Sequence, residues 1–207
     1  QLVGEKSRHL WMGTFHSIFA RILRTEAATL GYEKNFSIYD SADSIGLIKS
    51  IMKSMGIPAQ QFNPQAIRSR ISAAKNQMVY PQEYADRAAD LFEEKTAAIY
   101  GEYRKRLKAH NAMDFDDLLL KPIELFTTHK AILEKYQDRF RFSLIDEYQD
   151  TNRAQYVLIK HLASRHRNVC VVGDDAQSIY AFRGADIRNI LDFERDYPDA
   201  TIIRLEQ

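Results

Sequence analysis

The chain has 207 residues, 45% hydrophobic and 28% charged, which is enough to bury one or two cores and too apolar for a disordered segment. A formal net charge of +1 excludes wholesale attraction to nucleic acid, so any DNA contact has to come from local patches. The single cysteine, Cys170 in the run VCVV, excludes an internal disulfide framework and reads as a small buried core residue, which suits a reducing cytosol. No apolar run has the length of a membrane span, and the start QLVGEKSRHL has no signal-peptide core, so a soluble cytoplasmic protein is expected.

In chain order, Leu10 to Met12 reads as a strand end and Gly13 to His16 as a turn. A helix then starts at Ser17 with Ile18, Phe19, Ile22 and Leu23 on one face. From about Thr25 to His110 the pattern is helical and no strand is expected. Ser41 is expected to cap a helix that buries Ile45, Ile48, Met52 and Met55 and stops at Gly56 and Pro58. Asn63 and Pro64 start another, with proline in the first helical position. A long segment from Pro81 to about Lys108 carries Leu91, Ile99, Tyr103 and Leu107 among charges. From Asp114 onward, helices alternate with strands ending at Asp146, spanning Asn168 to Val172 and spanning Thr201 to Leu205. Helices are expected over Arg153 to Ala163 and Asp186 to Asp196. This alternation argues for a parallel sheet. The expected fold class is α/β, a partial parallel sheet flanked by helices and interrupted by an all-helical insertion.

Two segments carry the chemistry. LIDEYQDT, Leu144 to Thr151, and VVGDDAQSIYAFRGA, Val171 to Ala185, are short apolar runs that end in polar groups. Phe142, Leu144 and Ile145, and Val169, Val171 and Val172, have the character of buried parallel strands, whose carboxyl ends are where such sheets bind ligands. Asp146, Glu147, Gln149 and Asp174 would stand at that edge. An Asp followed by a Glu suits nucleotide hydrolysis, because one carboxylate can hold Mg²⁺ while the next positions the attacking water. A bare Asp-Glu pair reads more often as a solvated loop; the whole octapeptide, the following NRAQY and the second strand reverse that preference.

With these motifs the chain resembles the UvrD, PcrA and Rep family of superfamily 1 DNA helicases. The resemblance runs nearly end to end through GTFHS (Gly13 to Ser17), SAAKN (Ser72 to Asn76), DFDDLL (Asp114 to Leu119), DEYQDTNRAQY, GDDAQSIYAFRGAD, FERDYP and the terminal LEQ. It implies a partial RecA-like motor domain over residues 1–25 and 110–207 and a helical inserted subdomain over 26–109. It implies an enzyme that uses ATP and Mg²⁺ to move 3′ to 5′ on single-stranded DNA and unwinds duplexes at single-strand/double-strand junctions in repair or replication. None of the eight glycines opens a G-x-x-x-x-G-K-[ST] phosphate cradle. The chain is therefore expected to start after the P-loop and to stop before the family's NYR arginine, and by itself to lack ATPase. A nuclease fused elsewhere in the parent is compatible with everything in this chain.

The resemblance assigns Asp146 to Mg²⁺, Glu147 as the base that activates water, and Gln177 as the contact to the γ-phosphate. Gln149 and Asp150 are expected to organise the loop by hydrogen bonds. Relatives often have GDADQ where this chain has GDDAQ, which makes the roles of Asp174 and Asp175 less direct than that of Gln177. Tyr180 and Phe182, with Arg183 beside them, are matched to base stacking on single-stranded DNA, Phe182 taking a position often held by tryptophan. Periodicity alone would put these aromatics in a core. Thr14, Phe15 and His16 match the family's DNA-track motif. Arg68, Arg70 and Lys75 form a basic segment suited to duplex phosphates, or a solvated helix face. Asp114 reads as a helix cap, and Asp116 and Asp117 as first-turn acids rather than a metal cluster. A different class of reading keeps the scaffold as a non-catalytic single-stranded-DNA-binding or protein-interaction module.

Overall fold

A computed structural model describes residues 10–174, 193 and 195–203. The chain divides into two compact units, residues 1–129 and 130–207.

The first unit is built on helices with well-defined starts. In α1 (Phe15–Glu26), Thr14 is the N-cap, its hydroxyl accepting the Ser17 N–H and its carbonyl accepting the Ser17 hydroxyl. β1 (Ser37–Tyr39) leads into α2 (Ser41–Ser54). The cap there is Asp40, one residue ahead of the expected Ser41, in a reciprocal capping box with Asp43. Gly56, in the left-handed region at φ 67°, follows its end. α3 (Pro64–Asn76) starts at Asn63 with proline in its first turn, as expected. The charged segment beyond it is broken into α4 (Pro81–Asp86) and α5 (Leu91–Ala109), the latter capped by Asp90. β2 (Ala112–Asp114) and α6 (Asp117–Thr128) complete the unit.

The expectation of no strand between Thr25 and His110 is corrected by β1, which pairs in parallel with β2 in the register Ile38 to Met113. A three-residue strand is too short to show alternation, and its partner lies far along the chain. The pairing joins the two ends of the helical segment at its root. Above it, Leu47, Ile48, Ile51 and Met52 of α2, Ile67 and Ile71 of α3, and Ile99, Tyr100, Tyr103 and Leu107 of α5 form one core. Ile48 has no exposed surface, so truncation to alanine there would cost about 2–5 kcal/mol. Ile45 is only half-buried and Met55 is exposed, contrary to the expected face of α2. A second cluster joins Leu23, Phe36, Met113 and Leu118, where α1 packs on α6.

The second unit begins with α7 (Lys130–Arg139), followed by β3 (Ser143–Ile145), α8 (Arg153–Ala163) and β4 (Val169–Val171). β3 and β4 are parallel, with Leu144 opposite Cys170. α8 has the boundaries the sequence predicts, fixed by an Asn152–Gln155 capping box. Two parallel pairs with flanking helices are the α/β class expected. The predicted burial is only half met. Ile145 is buried, but on the opposite face Phe142 and Leu144 are 81% and 75% exposed, and Cys170 and Val172 are exposed as well. Cys170 is thus a surface residue of the sheet and not a core one, because strand alternation puts it on the face it shares with Leu144. Leu10 to Met12 and Thr201 to Ile203, expected in strands, lie in none. Among the described residues no helix is long and apolar enough to cross a membrane.

Candidate nucleotide and nucleic-acid sites

In the second unit, β3 ends at Ile145 and places Asp146 and Glu147 at the carboxyl end of a parallel strand. Tyr148 pins the chain just beyond this pair: its N–H donates to the Val172 carbonyl while the Val172 N–H donates to the Ile145 carbonyl. Its ring is buried edge-on against Phe193 at 5.6 Å. The resulting turn puts Glu147 in the left-handed region, φ 51° and ψ 43°, a conformation that costs a non-glycine residue on the order of 1–2 kcal/mol. Both acidic side chains are exposed.

Gln149 is the organiser of the loop. It is almost fully buried; its Nε2 donates to Glu147 Oε2 at 2.7 Å and its Oε1 accepts the Asp174 N–H at 3.1 Å. One amide therefore ties the loop after β3 to the segment after β4. Asp146 Oδ1 accepts the Glu147 N–H at 3.0 Å, which orients the carboxylate of this exposed residue. Asp150 enters the loop through its main chain, its N–H donating to the Glu147 carbonyl at 2.9 Å. Its Oδ1 is enclosed without a hydrogen-bond partner, and desolvation and the charge of Glu147 push its carboxyl up.

No cluster of three or more His, Cys, Asp or Glu side chains suited to a metal occurs among the described residues. That is compatible with Mg²⁺, which commonly binds through one or two carboxylates together with substrate phosphates and water. The exposed, oriented Asp146 carboxylate fits that use.

In the first unit, Thr14 is exposed and Phe15 and His16 are half-buried at the start of α1. The Phe15 ring leans on Phe19 at 6.3 Å. His16 stacks on Phe115, centroids 3.9 Å apart and planes 19° apart, and burial pulls its imidazole down to about 4. It is neutral at pH 7. Sequence reasoning missed Phe115, in DFDD; its place between two aspartates is the signal, since an apolar ring there has no core to join, and it is 54% exposed. A cavity of about 200 Å³ lies beside it, lined in part by Tyr39, Arg68, Ser72, Phe115 and Asp116. Chain folding thus brings His16 of this motif onto Phe115, and Arg68 to the lining of the same cavity.

The basic segment separates into different roles. Arg70 is exposed and Arg68 half-exposed, but Lys75 is buried, its ammonium 2.6 Å from Asp114 and 2.8 Å from Asp117. The expectation that Lys75 meets duplex phosphates is corrected: its charge is spent inside the fold, and these two carboxylates hold its pKa above the ordinary lysine value against desolvation. Asp114 ends β2, and its Oδ1 also accepts the Asp117 N–H, so it both caps the turn and pairs with the lysine. Gln177, Tyr180, Phe182 and Arg183, and Asp175 with them, lie outside the described residues.

The sequence model of the UvrD/REP helicase N-terminal domain matches residues 1–198. The chain belongs to this family. It is 46% identical over 206 residues to the ATP-dependent DNA helicase PcrA of Bacillus subtilis, covering 100% of this chain and 28% of that protein. PcrA of Staphylococcus aureus (strain Mu50) is 46% identical over 207 residues, and that of Staphylococcus epidermidis 47% over 206, with the same coverage. The chain therefore spans a little over a quarter of the length of these relatives. As a UvrD/REP N-terminal domain it carries its acidic pair where an α/β sheet presents ligands, at a strand's carboxyl end.

Proposed function

We propose that this chain is part of the motor of an ATP-dependent DNA helicase, with residues 1–25 and 110–207 in a RecA-like domain and 26–109 as its helical insertion. The observation that carries the reading is the Gln149 bridge, which holds Glu147 at the carboxyl end of β3 and links it to the segment leading toward Gln177. In this reading Glu147 Oε1 takes the proton of the water that attacks the γ-phosphate, while Gln149 keeps Oε2 fixed. Asp146 would hold Mg²⁺, which when bound would offset the charge of the triphosphate. Gln177 meets the γ-phosphate and passes the nucleotide state to the DNA-binding segment that follows it.

Single-stranded DNA runs over Thr14, Phe15 and His16, over Phe115, and over Tyr180, Phe182 and Arg183, where flat rings accept bases regardless of sequence. Arg68 and Arg70 serve duplex phosphates at the junction. The activity is 3′ to 5′ translocation and duplex unwinding in the cytoplasm, in repair or replication. The test is strand displacement by the full-length protein on duplexes with a 3′ or a 5′ single-stranded tail, with and without ATP. Unwinding of the 3′-tailed duplex that requires ATP is expected; DNA binding with no unwinding of either substrate would refute the proposal.

A further inference from the structure

Two consecutive residues of α3 grip the chain on either side of Phe115. Lys75 Nζ binds Asp114, the residue before the ring, and also Asp117. Asn76 Nδ2 binds Asp116, the residue after it, at 3.0 Å, and the Ser72 carbonyl at 2.8 Å. The turn is closed on itself by the Asp117 N–H donating to Asp114 Oδ1 at 2.9 Å, and anchored to α5 by the Tyr103 hydroxyl donating to Asp114 Oδ2 at 3.0 Å. The network is buried at Lys75, Asp114 and Asp117, yet the ring it frames is more than half exposed and touches His16 by face alone. Rigid polar clamps around an exposed aromatic point to a ring whose position is specified for something outside the fold, since an apolar core would have held a buried ring without them.

We infer that Lys75 and Asn76 are positioning residues that fix the Phe115 ring for stacking against a base of single-stranded DNA, registering the helical insertion to the DNA track. This rests on the proposal that Phe115 lies on that track. The same helix carries Arg68 and Arg70, so a shift of α3 is transmitted to the ring through these two side chains. Lys75 cannot be removed without stranding two buried carboxylates; Asn76 can be tested separately.

The experiment uses the full-length protein and an oligo-dT strand bearing one 2-aminopurine, read at saturating protein as the fraction of short-lifetime, stacked emission. Phe115→Ala should abolish the protein-induced stacked fraction. Asn76→Leu should lower it at least twofold, with the ATP KM unchanged and a cooperative thermal transition retained. Asp116→Asn, which keeps a carbonyl oxygen for the Asn76 amide, should leave it at the wild-type value. A wild-type stacked fraction in Asn76→Leu, where Phe115→Ala has lost it, would overturn the inference alone. A wild-type fraction in Phe115→Ala would overturn the DNA-track reading and the inference with it.

Discussion

His16 lies flat against Phe115, with 3.9 Å between ring centroids, although one ring comes from the start of α1 and the other from the turn after β2. The neutral imidazole backs one face of the phenyl ring and leaves the rest of it to solvent. Phe115→Ala should therefore weaken binding of the full-length protein to single-stranded DNA by about 1–3 kcal/mol, roughly 5- to 150-fold, for oligo-dT and oligo-dA alike. Because the ring is 54% exposed, unfolding in urea should move by no more than about 1 kcal/mol. Fluorescence anisotropy titration checks the first statement, and unchanged affinity would remove Phe115 from the interface.

The same corner carries two groups whose stability contributions run in opposite directions with pH. His16 is lowered from 6.5 to about 4 by burial, so its contribution is present above 6.5 and is lost as pH falls toward 4. Asp116 is raised from 3.8 to about 6, by burial and then by Asp114, against the opposing Lys75 charge and hydrogen bonds from Ser72 and Asn76. Its contribution is present below 3.8 and is lost as pH rises through 6. Asp116→Asn should gain on the wild type steadily between pH 4 and 6 and level off above about 7, by at most about 3 kcal/mol. Urea titrations at pH 4, 5.5 and 7 measure this; a stability difference independent of pH would contradict it.

Lys75 and Arg70, neighbours in one basic segment, should behave as unlike residues. Lys75→Met leaves Asp114 and Asp117 buried without their cation and should destabilise the fold by about 3–5 kcal/mol. Arg70→Ala should leave unfolding unchanged and lower the dependence of log affinity on log salt for a tailed duplex by about 1. Equilibrium denaturation and binding at several salt concentrations separate the two cases. A folded, fully stable Lys75→Met with a reduced salt slope would restore the lysine to the DNA surface.

What the sequence made legible depended on how local the cause was. Asn63 with Pro64 and Asn152 with Gln155 act within one turn, and those two helices start where expected, while α1 starts at Phe15, two residues ahead of the expected Ser17, because Thr14 caps it. The acidic pair after β3 was readable because the motif and the strand that presents it are contiguous. β1 was not, since SIY gains its identity only from a partner across the chain at Ala112–Asp114. Lys75 looked solvated because its acids lie some forty positions away, and Cys170 looked buried because composition cannot say which face of a strand is covered. Phe115 stood in plain view between aspartates, but its meaning came from His16.

The most direct test of the proposed motor is ATP turnover by the full-length protein with and without single-stranded DNA, comparing wild type with Glu147→Gln. The substitution keeps the side-chain shape and an oxygen for the Gln149 amide to reach, and removes the proton acceptor. DNA-stimulated hydrolysis is expected in the wild type and a fall of about 100-fold or more in the variant, with nucleotide binding retained. Wild-type turnover in Glu147→Gln, or no hydrolysis by the wild type in the presence of DNA, would contradict the assignment of Glu147 as the base of a DNA-dependent ATPase.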